Sequence, residues 1–321
     1  MKPMISKRGI LIHPEEVGDY WAEILVESDL NLVAIHPKGG AAASDTLSDM
    51  LEFVKTDAFL SFAEKVRGKG IALEYEFHAL SWLLDRNLYD TRKDWFRMNE
   101  EGERVNDYNM CPSNPDALEY IAERSALLAQ KLPYNTDRYF FWVDDAKAFC
   151  HCSQCKGLTP SDQAMIIYNH ILSGIKTVNK DATQSYLAYL DAIAPPVNVH
   201  PEEGIFLEYA PFLRDSSLPI NDPNCKENQD QVRHIDGLIQ VFGAKNSQVL
   251  EYWMDNSRFC GWKLPYKKLK LDEEVLRKDV QYYRTKGFES LTSFGCFLGE
   301  DYAREFGVPP VKRYSEILWT R

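Results

Sequence analysis

Arg138-Tyr-Phe-Phe-Trp-Val-Asp-Asp-Ala-Lys-Ala-Phe-Cys-His-Cys-Ser-Gln-Cys155 is the stretch whose reading decides the fold of this chain. Its first half is an apolar, aromatic run of the kind that forms a strand buried on both faces. That strand delivers two adjacent acids, Asp144 and Asp145, and a Cys-x-Cys-x-x-Cys cluster follows at Cys150, Cys152 and Cys155. The chain has seven cysteines in all, so the density is local. A strand that ends in paired acids and metal-type ligands reads as the edge of an active site.

Outward from this strand, short apolar runs alternate with amphipathic segments. On the amino-terminal side, strands are expected at Gly9 to His13, Leu30 to His36 and Ile71 to His78, with helices over 14–25 and 48–70 between them. A long polar stretch from about Leu80 to Ser113 breaks the rhythm, and loops of that length tend to be functional. Asn114-Pro115 then opens a helix that leads into the anchor strand. On the carboxyl-terminal side, a helix from Ser161 to about Val178 precedes strands at Gln184 to Leu190, Gly204 to Tyr209, Gln248 to Met254 and Phe288 to Phe297. Helices are expected near 226–242, 272–286 and 300–306. Eight strands separated by helices, without a Pro/Ser-rich linker, predict a single (β/α)8 TIM barrel occupying residues 1–321 as one domain with extended βα loops.

At 321 residues, 45% hydrophobic and 12% aromatic, the chain can bury a core of that size. A net charge of −11 and a pI near 5.2 argue against nucleic acid as a partner, because phosphate-backbone binders carry a basic footprint. No run approaches the ~18 apolar residues of a membrane span. The amino terminus lacks the apolar length and cleavage site of a signal peptide, so a cytoplasmic location is expected. A periplasmic or secreted chain already relieved of its leader would read the same way. The cysteines suit reduced thiols or metal ligation better than a disulfide framework.

In such a barrel the active site lies at the carboxyl ends of the strands. That rule selects His13, His36, Glu76, His78, Asp144, Asp145, Tyr189, Asp191, Glu208, Tyr209, Trp253, Asp255 and Ser293. Two successive acids at a strand end leave on opposite faces, and their repulsion raises one pKa toward that of a proton donor at neutral pH. The competing reading has one of them cap a helix or order the loop. Glycoside hydrolysis needs an acid for the leaving oxygen, together with a carboxylate nucleophile or help from the substrate. Adjacent acids suit the substrate-assisted version, in which one donates the proton while the other holds a 2-acetamido group that attacks the anomeric carbon. A conventional retaining pair would draw its nucleophile from another strand, with Glu208 or the less favourably placed Glu251 available.

A structural zinc site takes four ligands in a tetrahedron. Cys111, at the end of the third βα loop, can complete Cys150, Cys152 and Cys155 as such a site, with His151 as a possible substitute and unligated loop thiols as the competing reading. Trp82, Tyr189, Tyr209, Trp253 and Trp262 are candidates to stack on sugar rings, although most aromatics belong to the core. His13, His36 and His78 could also hold a divalent metal with Glu76, as in metal-dependent isomerase barrels.

The succession Asp94-Trp-Phe-Arg-Met-Asn-Glu-Glu-Gly-Glu-Arg104, Cys111-Pro-Ser-Asn-Pro115, Asp144-Asp145, Cys150-His-Cys-Ser-Gln-Cys155 and Ser161-Asp162 resembles a bacterial family of glycoside-hydrolase-like barrels that carries a domain-of-unknown-function label. Its members occur in bacteria that degrade polysaccharides. The acid pair is also similar to that closing the fourth strand of barrels that cleave N-acetylhexosaminides. That likeness implies Asp144 as the residue orienting the acetamido group and Asp145 as the general acid. The four cysteines are similar to the zinc-binding cysteines of certain bacterial β-galactosidases, which carry a glutamate acid on the fourth strand where this chain has none. Only one of these two likenesses can set the mechanism.

The resulting expectation is a glycoside hydrolase acting on a carbohydrate, with Asp144 and Asp145 catalytic. His13, Glu76, His78, Tyr189, Glu208, Tyr209, Trp253 and Asp255 are expected to line the sugar site, and structural zinc to sit at Cys111, Cys150, Cys152 and Cys155, with no organic cofactor. The alternatives are a carbohydrate-binding barrel without catalysis and a metal-dependent isomerase or aldolase.

Overall fold

A computed structural model of the chain describes residues 4–145 and 149–319; residues 146–148 of the deciding stretch, and residues 1–3 ahead of the first strand, lie outside it. Among the described residues eight strands close into a barrel in sequence order: β1 (Lys7–Ile12), β2 (Leu32–Ile35), β3 (Ala72–His78), β4 (Arg138–Trp142), β5 (Thr183–Ala188), β6 (Ile205–Tyr209), β7 (Gln248–Glu251) and β8 (Ser290–Phe294). Every pairing is parallel, and β1 closes the ring by pairing with both β2 and β8. The strands are buried almost throughout, which is why they read as continuous apolar runs and not as alternating ones. This is one (β/α)8 barrel, and no helix among the described residues is long and apolar enough to cross a membrane.

Several expected elements end early or divide. The helix expected over 48–70 is two helices, Ala43–Phe53 and Asp57–Arg67, and the Thr56 side chain caps the second by accepting the N–H of Phe59. The helix expected over 226–242 likewise separates into Lys226–Val232 and Ile235–Phe242. A final helix, Val311–Trp319, was not anticipated; it buries Val311, Ile317 and Leu318, and its Tyr314 hydroxyl donates to the carbonyl of Gly9. β7 stops at Glu251, three residues short of the expected Met254.

The barrel interior is polar as well as aromatic. Gln248 on β7 donates to Glu76 Oε1 on β3 and to Glu208 Oε1 on β6, each at 3.1 Å, while its own oxygen accepts from Arg138 on β4 and Ser290 on β8. Partners drawn from so many strands place this network on the barrel axis. Outside the barrel, Arg214 in the loop after β6 donates to both Glu251 and Asp279 at 2.7 Å, and all three are buried. Removing one member of such a group costs ~3–5 kcal/mol, because it strands a buried charge.

Candidate active site

β4 ends at Trp142, and the acid pair occupies the turn beyond it. Asp144 and Asp145 do leave on opposite sides. Asp144 is buried at 4% exposure and turns toward the helix Leu80–Leu83, where Oδ2 accepts the N–H of Ser81 at 2.7 Å. Asn109 clamps its backbone, accepting the Asp144 N–H and donating to its carbonyl. Oδ1 of Asp144 is buried without a hydrogen-bond partner among the described residues. Burial pushes this carboxyl up to about 6, against the opposing pull of His78 and Arg86.

Asp145 points the other way, into a cavity of about 430 Å³ at the carboxyl ends of the strands. That volume lies within the range of small-molecule sites. Asp145 Oδ1 accepts the N–H of Gly40 at 3.2 Å, and Oδ2 lies 3.6 Å from His78 Nε2. The turn that supplies this N–H depends on glycine. Gly40 has φ +68°, and a Cβ on Gly39 would come within 2.8 Å of the His78 ring.

His13, His36 and His78 line the cavity together with Tyr189, Phe212, Tyr252, Phe294 and Trp262, and Phe294 meets the His36 ring edge-on at a centroid distance of 4.8 Å. Trp142 lies between the cavity and the interior network, with its Nε1 donating to Glu208 Oε2 at 2.7 Å. Asp255 contributes a second cavity carboxyl; Oδ1 accepts from Ser257 Oγ at 2.5 Å and from the Arg258 N–H at 3.1 Å. Burial raises this carboxyl, while the two hydrogen bonds and His13 oppose the rise.

Of the residues expected at the site, His13, His36, His78, Asp145, Tyr189, Asp255 and Trp262 come together at this cavity, and Glu76, Glu208, Tyr209 and Trp253 do not. Glu76 and Glu208 sit below Trp142 in the interior network. Burial raises both carboxyls, and the charge of Glu208 raises Glu76 further. Tyr209 packs outward on Tyr283, and Trp253 donates to Asp279 at 2.9 Å, so both belong to the layer between barrel and helices. Glu251, weighed as a nucleophile, is held by Arg214 and the Tyr283 hydroxyl. Asp191 lies in the short helix Leu190–Ala192 beside a neighbouring recess, and Ser293 accepts the N–H of Met254.

Sequence reasoning missed Tyr252, Phe294 and Phe212. On β7 Gln248 and Leu250 face inward, and the same two-residue alternation carries Tyr252 to the cavity and turns Trp253 outward. Phe294 lay within an expected strand as one apolar residue among several. Phe212 follows β6 in a loop with no periodic signal to mark it.

The cysteine cluster lies apart from the cavity. Sγ atoms of Cys111, Cys150, Cys152 and Cys155 all lie within 4.8 Å of one another, and all four residues are buried. Cys111 Sγ is 3.7 Å from that of Cys152 and 3.9 Å from that of Cys155. A tetrahedral ion ~2.3 Å from each sulfur sets neighbouring sulfurs roughly 3.8 Å apart, so the donor set fits zinc in both chemistry and spacing. Cys150 Sγ also receives the Met98 N–H at 3.3 Å and lies 3.7 Å from an Arg104 nitrogen, contacts that favour a thiolate. His151 is outside the cluster, 3.4 Å from Glu100.

A family model described as Domain of unknown function (DUF4838) matches residues 49–297. No curated protein matches the chain. Among solved structures, the cold-adapted β-galactosidase from Rahnella sp. R3 superposes with a TM-score of 0.59 at 12% identity, covering 99% of this chain and 56% of that one. The O-GlcNAc hydrolase of Thermobaculum terrenum gives 0.55 at 10% identity, covering 98% and 59%. A glycoside hydrolase family 5 enzyme from Prevotella bryantii B14 gives 0.52 at 9%, covering 98% and 97%. The chain thus spans a little over half the length of the first two. At these identities the likeness is one of fold.

Proposed function

The chain belongs to the DUF4838 family, and from that premise we propose that it is a glycoside hydrolase with Asp145 as proton donor. The observation that carries the proposal is the position of Asp145, which follows β4 and turns its carboxyl into a cavity lined by histidines and aromatics. Solved barrels titled as glycosidases share the fold and support the reaction class.

The proposed substrate is a 2-acetamido sugar. Asp145 gives its proton to the glycosidic oxygen as the bond from that oxygen to the anomeric carbon breaks. The acetamido carbonyl oxygen bonds to that carbon while Asp144 accepts the acetamido N–H. Water then opens the cyclic intermediate, and Asp145 takes its proton. Asp144 and Asp145 both border the recess beside the main cavity, and Asp144 keeps an unpartnered oxygen. A second reading, a conventional two-carboxylate hydrolase, is favoured by Asp255, which lines the main cavity where Asp144 does not.

Zinc at the four cysteines is proposed as structural. Four protein ligands leave no position for water, and the ion would tie the segment holding Cys111 to the segment following the acid pair.

The test is turnover of aryl glycosides with and without the 2-acetamido group by the unaltered protein and by Asp144→Asn, Asp145→Asn and Asp255→Asn. Turnover confined to acetamido sugars and lost in the first two variants supports the substrate-assisted route. Turnover of simple glycosides that depends on Asp255 supports the two-carboxylate route, and no turnover of any sugar defeats the proposal.

A further inference from the structure

His13, His36 and His78 stand at the ends of β1, β2 and β3, and each ring is pinned in the same way. Nδ1 of His13 lies 2.8 Å from the carbonyl oxygen of His36, Nδ1 of His36 lies 2.7 Å from that of Glu76, and Nδ1 of His78 lies 2.7 Å from that of Val143. Each carbonyl belongs to the neighbouring strand or its exit, so the spacing of the barrel itself sets all three contacts. A carbonyl can only accept, so each Nδ1 carries a hydrogen and each neutral ring leaves Nε2 as a bare acceptor. Desolvation holds His13 and His36 neutral, lowering the pKa of both.

The row is not arranged for a metal. Ring centroids are 5.8 Å apart from His13 to His36 and 6.3 Å from His36 to His78, and among the described residues only the four cysteines converge closely enough to share an ion. Nor does the cavity suit an anion. Lys38, the cation among its lining residues, is ion-paired with Glu15, and the acids there, Asp145 and Asp255, offer no positive charge. Phe212, Tyr252 and Trp262 offer apolar faces.

We propose that the three Nε2 atoms form an acceptor row that reads the hydroxyl groups of an uncharged sugar ring and discriminates against uronic acids and other anionic sugars. The inference rests on the reading of this cavity as a sugar site, but it concerns recognition and not hydrolysis. Hydroxyl donors satisfy the row, whereas a carboxylate brings acceptors against acceptors there.

The test measures binding by the turnover-impaired Asp145→Asn protein at pH 7. Calorimetry and ligand-observed NMR are run with glucose, galactose, N-acetylglucosamine, glucuronic acid and galacturonic acid. At least one neutral sugar is expected to bind, with its uronic acid counterpart about tenfold weaker or undetected. His13→Phe and His36→Phe should each weaken neutral-sugar binding about tenfold, the scale of one strong hydrogen bond. His36→Gln, which restores an acceptor, should recover much of the loss, and circular dichroism checks that each variant is folded. Equal or tighter binding of the uronic acids, unchanged affinity in folded Phe variants, or no sugar binding at all would overturn the proposal. So would a metal ion beyond the cysteine-bound one that disappears in His36→Phe. Selective binding of neutral sugars without turnover by the unaltered protein would leave this inference standing and remove the hydrolase reading.

Discussion

His78 Nε2 lies 3.6 Å from Asp145 Oδ2, and the hydrogen bond from His78 Nδ1 to the carbonyl of Val143 turns that Nε2 toward the acid. The Gly40 N–H steadies the other carboxyl oxygen. Replacing Asp145 with asparagine should lower kcat on an unactivated glycoside by ~100-fold or more, the usual contribution of a positioned proton donor. The loss should be smaller on aryl glycosides whose leaving group needs little protonation. Steady-state kinetics on the two substrate types checks this, and equal loss on both would contradict the assigned role.

Asp144, pushed up to about 6, is protonated below that pH and ionised above it. It must be ionised to accept the acetamido N–H, so kcat/KM for a 2-acetamido substrate should rise through about pH 6 and level off above. The same shift makes folding stability fall as pH rises from the unfolded carboxyl's ~3.9 to about 6, because the folded state holds the proton longer. A pH–rate profile of Asp144→Asn should lack that limb.

Elemental analysis of purified protein should find about one zinc per chain, bound at the four cysteines. Cys152→Ser should lose most of that zinc and lower the Tm, because the metal's binding energy contributes to folding. Chelation should reproduce the stability loss in the unaltered protein and leave Cys152→Ser unchanged.

Trp253 and Trp262 should separate cleanly when varied. Trp253→Phe removes the donor to Asp279 and should cost ~1–3 kcal/mol of stability with little effect on sugar affinity. Trp262 is exposed at the cavity mouth, so Trp262→Ala should weaken sugar binding with little change in stability. Denaturant melts and calorimetry distinguish the two.

Glu76 and Glu208 share the barrel axis, with Glu76 raised well above the ordinary carboxylate range. A group whose folded pKa is raised makes stability fall as pH climbs from its unfolded value through its folded one. Glu76→Gln removes that group and should flatten the alkaline side of the Tm-versus-pH curve, which thermal melts from pH 5 to 9 would show.

Much of this molecule was legible in the chain. Eight short apolar runs separated by amphipathic segments were enough for the barrel, because strands buried on both faces must be apolar throughout. The barrel rule then brought His13, His78, Tyr189 and Asp255 to one mouth and aimed Asp145 at it. The cysteine spacing predicted a cluster that the fold assembles, with Cys111 arriving from another loop.

Tertiary structure alone decided which way each strand-end side chain turns. Inward-facing Gln248 and Leu250 fix the phase of β7, so Tyr252 takes the place foreseen for Trp253. Depth was equally hidden: Glu76 and Glu208 sit on strand positions facing the axis, yet Gln248 and Trp142 hold them beneath the cavity. The orientation of Asp144 was set by the N–H of Ser81, and that of the three histidine rings by carbonyls on neighbouring strands. Local sequence encodes burial and period, whereas hydrogen-bond partners far apart in the chain exist only once the barrel has closed.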